Sequence, residues 1–143
     1  MGLQKKYFKI LLLFLSISFA LSGCFNNRRS QCDQIINVSN QLAEVTQSNL
    51  ATKDLTKILE IADIFDQSAQ LILDKKITDE PLSEFSQKLA KIYQNYAIVT
   101  RNFITSFQNK DTENAVIYQQ QVINLSQEQE NLVNNINSYC QEN

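Results

Sequence analysis

Residues 80–109 read EPLSEFSQKLAKIYQNYAIVTRNFITSFQN. Within them Leu82, Phe85, Leu89, Ile92, Tyr96, Val99 and Phe103 step by three and four in turn. That is a heptad seam sustained over three repeats, and Phe107 continues it. A strand would instead alternate apolar and polar side chains. Thr78-Asp79-Glu80-Pro81 stands just before the seam, and acids with a proline suit the first turn of a helix. Glu84 and Lys88 add an i,i+4 pair on the outer face. The spacing predicts a helix over about Glu80 to Asn109.

The same period recurs on both sides. Ala115, Tyr118, Val122, Leu125, Gln129, Leu132, Ile136 and Tyr139 predict a helix over about Thr112 to Gln141, after the polar turn Asn109-Lys110-Asp111. Gln129 is its one polar seam residue, so it is either buried with a partner or marks a wet layer. Upstream, Leu55, Ile58, Leu59, Ala62, Phe65, Ala69, Ile72 and Leu73 predict a helix over about Lys53 to Lys76, with Thr52 as its N-cap and Asp54 in its first turn. Ile61, Ile64 and Leu71 widen that stripe, which makes them a candidate partner surface. Cys32, Ile35, Ile36, Ser39, Leu42 and Ala43 predict a shorter helix over about Gln31 to Ser48. Four amphipathic helices with short polar connections fit an all-α, antiparallel up-down-up-down four-helix bundle.

The N-terminus has a different character. Lys5, Lys6 and Lys9 precede an apolar run from Ile10 to Leu21, interrupted by Ser16 and Ser18. About a dozen apolar residues suit a signal-peptide core and fall short of the ~20 that span a bilayer. Leu21-Ser22-Gly23-Cys24 follows and resembles the lipobox of bacterial lipoproteins. The resemblance implies that the Cys24 thiol receives a diacylglyceryl group and that the chain is cut before it. Two acyl chains make a stable membrane anchor where one does not. The chain then divides into a signal peptide at 1–23, a lipidated tether at 24–30 and the bundle at 31–143. Seven extended residues reach at most about 25 Å. Arg28 and Arg29 in the tether suit either anionic lipid head groups or a plain solvated linker.

Removing residues 1–23 from a chain of 143 leaves 120, enough for one domain with one core. Three of the 13 basic residues leave with them and all 15 acidic ones stay, for a net charge of −5. A mildly acidic domain without a basic face is a poor nucleic-acid binder. Gly2, Gly23 and Met1 lie in the removed segment, so the remainder has no Gly, His, Met or Trp and one proline, Pro81. Without glycine, left-handed turns carry a steric cost.

Cys32 opens the first helix and Cys140 closes the last. In this topology the two lie at one end, and an exported chain meets an oxidising compartment where a disulfide persists. We expect the bridge; the alternative is two small buried apolar residues that never meet. With the lipid at Cys24, both chain ends are expected near the bilayer, with the connection between the second and third helices at the far end.

The missing residue types argue against an enzyme. There is no imidazole base, no Ser-His-Asp triad, no Glu-x-x-His metal motif and no Gly-rich phosphate loop. Two cysteines far apart are not a CxxC redox pair. No metal ligand set and no cofactor is expected. Asp63 with Asp66, and Asp79 with Glu80 and Glu84, have the chemistry of a hard-cation site, but read first as a solvated face and helix-capping groups. Tyr93, Tyr96, Arg101, Phe103 and Phe107 give the third helix an aromatic stripe, read first as core and second as a pocket wall.

Taken together, the lipobox, Cys32-x-x-Ile35-Ile36, Asp79-x-x-Leu82, Tyr93, Thr100-Arg101-x-Phe103 and Ile136-Asn137-x-Tyr139-Cys140 resemble small helical lipoproteins of cyanobacteria. The bundle form is also similar to lipid-anchored photosystem II accessory proteins of the thylakoid lumen, in fold and location alone. These resemblances imply no catalytic residue. The spare apolar flank of the second helix and the short tether point to a non-enzymatic accessory protein that docks on a membrane partner, facing the periplasm, thylakoid lumen or cell exterior. A small hydrophobic-ligand binder, built on the aromatics around Gln129, is the alternative.

Overall fold

The computed structural model describes residues 27–47 and 54–142. Four helices account for most of them: α1 over residues 27–47, α2 over Leu55–Leu73, α3 over Glu80–Gln108 and α4 over Thr112–Gln141. They run antiparallel in an up-down-up-down bundle, and no strand occurs among the described residues. α3 packs between α2 and α4. It also reaches α1 through Tyr93, whose hydroxyl donates to Ser39 Oγ at 3.1 Å.

Three aspartates start three helices. Asp54, Asp79 and Asp111 each accept a hydrogen bond from a backbone N–H of the first turn, those of Thr56, Leu82 and Asn114. Such caps satisfy donors that no helical carbonyl can reach, and each stabilises by about 1 kcal/mol. The start of α2 is therefore set by Asp54, later than a Thr52 cap would place it. α2 ends at Leu73, earlier than Lys76. α1 is already helical at residue 27. Residues 27–30 of the expected tether are helical and run on into α1, and the Asn27 side chain accepts from Gln31 one turn on.

The core is built on α3. Leu82, Leu89, Ile92, Tyr96 and Val99 of the predicted seam are buried. A second row beside it, Ser86, Ala90, Tyr93, Ala97 and Ile104, is buried too. Two adjacent rows are needed because α3 faces three helices rather than one. The small side chains of the second row let neighbouring backbones approach closely. Ile35, Val38 and Leu42 of α1, Ile72 of α2 and Leu125, Leu132 and Ile136 of α4 complete the cluster. Each buried Leu or Ile contributes roughly 1.5–3 kcal/mol.

Three seam positions depart from expectation. Phe107 is 59% exposed and Leu73 45%. Both occupy the last turn of their helices, past the last layer of the core, and Phe107 stacks on Phe103 instead at 6.2 Å between centroids. Ala43 is exposed while Val38 takes a buried place on α1.

The connection from α2 to α3 does not lie at the far end. Gln31 of α1 binds Thr78 and Asp79 directly, so this connection sits beside Cys32 and Cys140. An up-down-up-down path requires it: one end holds the start of α1, the α2–α3 connection and the end of α4. The far end holds the α3–α4 turn.

That far turn shows how a glycine-free chain closes a helix. The Asp111 N–H bonds back to Ser106 O and the Lys110 N–H to Phe107 O. This is the Schellman arrangement, which places its C′ residue in the left-handed region and usually recruits glycine there. Here Lys110 holds it, at φ 57°. Replacing Lys110 with glycine removes the Cβ clash and is expected to stabilise the protein by about 1 kcal/mol. A thermal melt should then rise by ~3–5 °C; an unchanged or lowered Tm would show that the lysine is not strained.

Candidate functional site

Two of the places among the described residues that gather polar side chains among apolar ones behave differently. The first is the closed end. Cys32 and Cys140 are disulfide-bonded with their Cα atoms 6.0 Å apart, 108 residues apart in sequence. Beside them Gln31 is only 3% exposed. Its Oε1 accepts from the Thr78 N–H at 2.6 Å and the Asp79 N–H at 3.1 Å. Its Nε2 donates to Asn27 Oδ1 at 2.9 Å and to Thr78 Oγ1 at 3.2 Å. Both ends of the amide are therefore satisfied within the fold, as burial requires.

Asp79 and Tyr139 extend this network. The Tyr139 hydroxyl donates to the Asp79 carboxylate at 3.0 Å, so one aspartate caps α3 and holds α4. The Tyr139 ring meets Phe85 edge-on at 6.0 Å. On another side the Arg28 guanidinium lies 5.0 Å from the same ring's centroid, a cation–π contact. Arg28 also donates to the Glu142 carbonyl. Arg28 is thus held by the end of α4. Cys24, the expected lipidation site, lies outside the described residues.

The second place is a crevice of about 290 Å³ halfway along the bundle. All four helices line it. Leu42, Ile61 and Val122 supply aliphatic walls, with Phe65 and Tyr96 as an aromatic one. Those two rings stack 4.8 Å apart at 17°. Burial pushes the Tyr96 phenol above its ordinary pKa, partly offset by the neighbouring Ser126 hydroxyl. Ser39, Thr46, Thr100 and Gln129 are the polar residues of the wall. Gln129 is half-buried, so the seam's one polar residue opens onto a crevice rather than into a closed layer.

The other residues singled out by sequence are dispersed. Arg101 bridges α3 to α2, with Asp63 at 2.6 Å and Asp66 at 2.7 Å. These hydrogen bonds, first to Asp63 and then to Asp66, raise the guanidinium pKa further. Glu84 pairs with Lys88 at 2.6 Å, which holds its carboxyl below the usual range. No group of His, Cys, Asp or Glu suited to a metal occurs among the described residues. Tyr93 is buried, and burial pushes its phenol up. Of the candidate partner surface, Ile61 lines the crevice, Ile64 packs against the core and Leu71 alone is exposed, at 47%. Other exposed apolar side chains went unnoticed in sequence: Ile98 on α3, and Val116, Ile117 and Ile123 on α4. Val116 and Ile123 are one heptad apart, and that spacing outside the seam was the available signal.

No protein-family profile, curated protein or solved structure matches the chain. No helix among the described residues is long and apolar enough to cross a membrane.

Two of the polar contacts that join different elements make a direct comparison. Gln31→Ala leaves the Thr78 and Asp79 N–H groups without their acceptor and is expected to destabilise by about 2 kcal/mol. Arg101→Ala removes an ion pair whose partners are more than a third exposed, and should cost less than about 1 kcal/mol. Urea unfolding of the two variants measures both. The reverse ranking would show that the Arg101 bridge, not Gln31, holds the helices.

Proposed function

We propose that this chain is a lipid-anchored, non-enzymatic helical bundle that serves as an accessory protein to a membrane partner. The observation that carries the reading is the position of the closed end. Only residues 25 and 26 separate Cys24 from the first described helical residue. Three to four residues span at most about 13 Å. A lipid on Cys24 therefore holds the disulfide end of the bundle close to the bilayer. The disulfide itself suits an exported chain in an oxidising compartment, facing periplasm, thylakoid lumen or cell exterior.

On this reading α1 and α4 are tied together at the membrane, and the α3–α4 turn points away from it. The long sides of the helices are left to meet a partner. Leu71 and Leu73 on α2, and Val116 and Ile123 on α4, are the exposed apolar side chains that such a contact would cover. The histidine-free, glycine-free composition of the bundle supports a binding role over catalysis.

Metabolic labelling with radioactive fatty acid tests the anchor. The wild-type chain is expected to carry label and to partition into the detergent phase, and Cys24→Ala to lose both. Equal labelling and partitioning of the variant contradict the anchor. Crosslinking in native membranes tests the docking role; a strictly monomeric, partnerless chain counts against it.

A further inference from the structure

The crevice at Gln129 differs from the polar cluster at the closed end. There the buried Gln31 uses both ends of its amide inside the fold. Ser39 and Thr46 in the crevice wall are likewise engaged: Ser39 donates to Ile35 O and Thr46 to Leu42 O. Gln129 and Thr100 form no hydrogen bond with any of the described residues. Thr100 stands out because Thr105, on the same helix, donates to the carbonyl four residues back. An amide and a hydroxyl thus face one crevice with their hydrogen-bonding capacity unused.

The wall around them narrows the class of ligand. None of its side chains carries a charge. An ion placed there would lose hydration without gaining a counter-charge, so the wall selects a neutral molecule. The Phe65 and Tyr96 rings stack on each other and both line the crevice, so its wall offers aromatic surface to which a further ring is complementary. The volume, about 290 Å³, lies just below the range of about 300–1,000 Å³ for small-molecule sites. That is room for a single ring with a short substituent. The Gln129 amide donates and accepts, and the Thr100 hydroxyl does the same, so the substituent is an oxygen that hydrogen-bonds.

We infer that this crevice is a binding site for a small, neutral, single-ring molecule carrying a carbonyl or hydroxyl oxygen. The ring lies along the Phe65–Tyr96 wall and the oxygen meets Gln129 and Thr100. The inference does not rest on the lipid anchor. It gives the seam position of Gln129 a reason, since an aliphatic side chain there would continue the pattern of Leu125 and Leu132.

Equilibrium dialysis of the full chain in detergent solution tests it, with detergent alone as the blank. Acetophenone is the probe; benzoate and benzylammonium are charged counterparts of similar size. Acetophenone is expected to bind saturably, one per chain, with half-saturation below about 1 mM. The two ions should bind at least tenfold more weakly. Gln129→Leu is expected to weaken acetophenone at least tenfold while leaving the Tm equal or higher. Thr100→Val, which keeps the shape of the side chain, should weaken it several-fold and guards against a folding defect in the first variant. Absence of saturable binding above the blank overturns the inference. So does acetophenone binding that both variants leave unchanged, or binding of the ions as tight as that of the neutral probe.

Discussion

The bond between Cys32 and Cys140 joins the first helix to the last across 108 residues, and the packing around it is arranged so that little else at that end is left loose. Closing a loop of this length removes chain entropy from the unfolded state, worth roughly 4–5 kcal/mol on that model. This is a large part of the 5–15 kcal/mol typical of a whole domain. Gln31, next to Cys32, then fastens the α2–α3 connection to α1 through the Thr78 and Asp79 N–H groups. Asp79 in turn starts α3 and accepts from Tyr139 of α4. One disulfide and one short polar network thus bring all four helices to a common end.

From that end outward the bundle depends on α3. Its two buried rows meet α2, α4 and, through Tyr93, α1. Away from the disulfide the constraints weaken. The far turn has to place Lys110 in the left-handed region, and Phe107 lies uncovered beside it. Between the two ends lies the crevice, where a polar residue interrupts the seam of α4. At the closed end Gln31, Asp79 and Tyr139 are hydrogen-bonded inside the protein, whereas the Gln129 amide forms no hydrogen bond with any of the described residues. That contrast separates a structural polar cluster from a candidate site.

Much of the fold was legible because large apolar side chains carry the period. Leu82, Leu89, Ile92 and Tyr96 marked α3, and α4 was read to its observed limits, Thr112–Gln141. The topology and the cysteine pair support each other in the sequence itself. Of the second row of α3 only Tyr93 was legible as core; Ser86, Ala90 and Ala97 resemble surface residues in sequence, and only the packing shows them buried. Helix ends were misplaced where a better cap competed, as at Asp54 against Thr52. The side of the α2–α3 connection was misjudged although the up-down-up-down path already fixed it. Of the crevice, Gln129 and Tyr96 were legible; that Thr100 joins them depends on the rotation of α3, which a heptad count does not resolve.

The most direct test of this account is guanidinium unfolding of the oxidised chain against the chain with Cys32 and Cys140 both replaced by serine. The account predicts that the double variant keeps its helical circular dichroism but unfolds at a lower midpoint, with a stability loss of about 4 kcal/mol. Equal midpoints, or free thiols at both positions in the untreated protein by mass spectrometry, would contradict it.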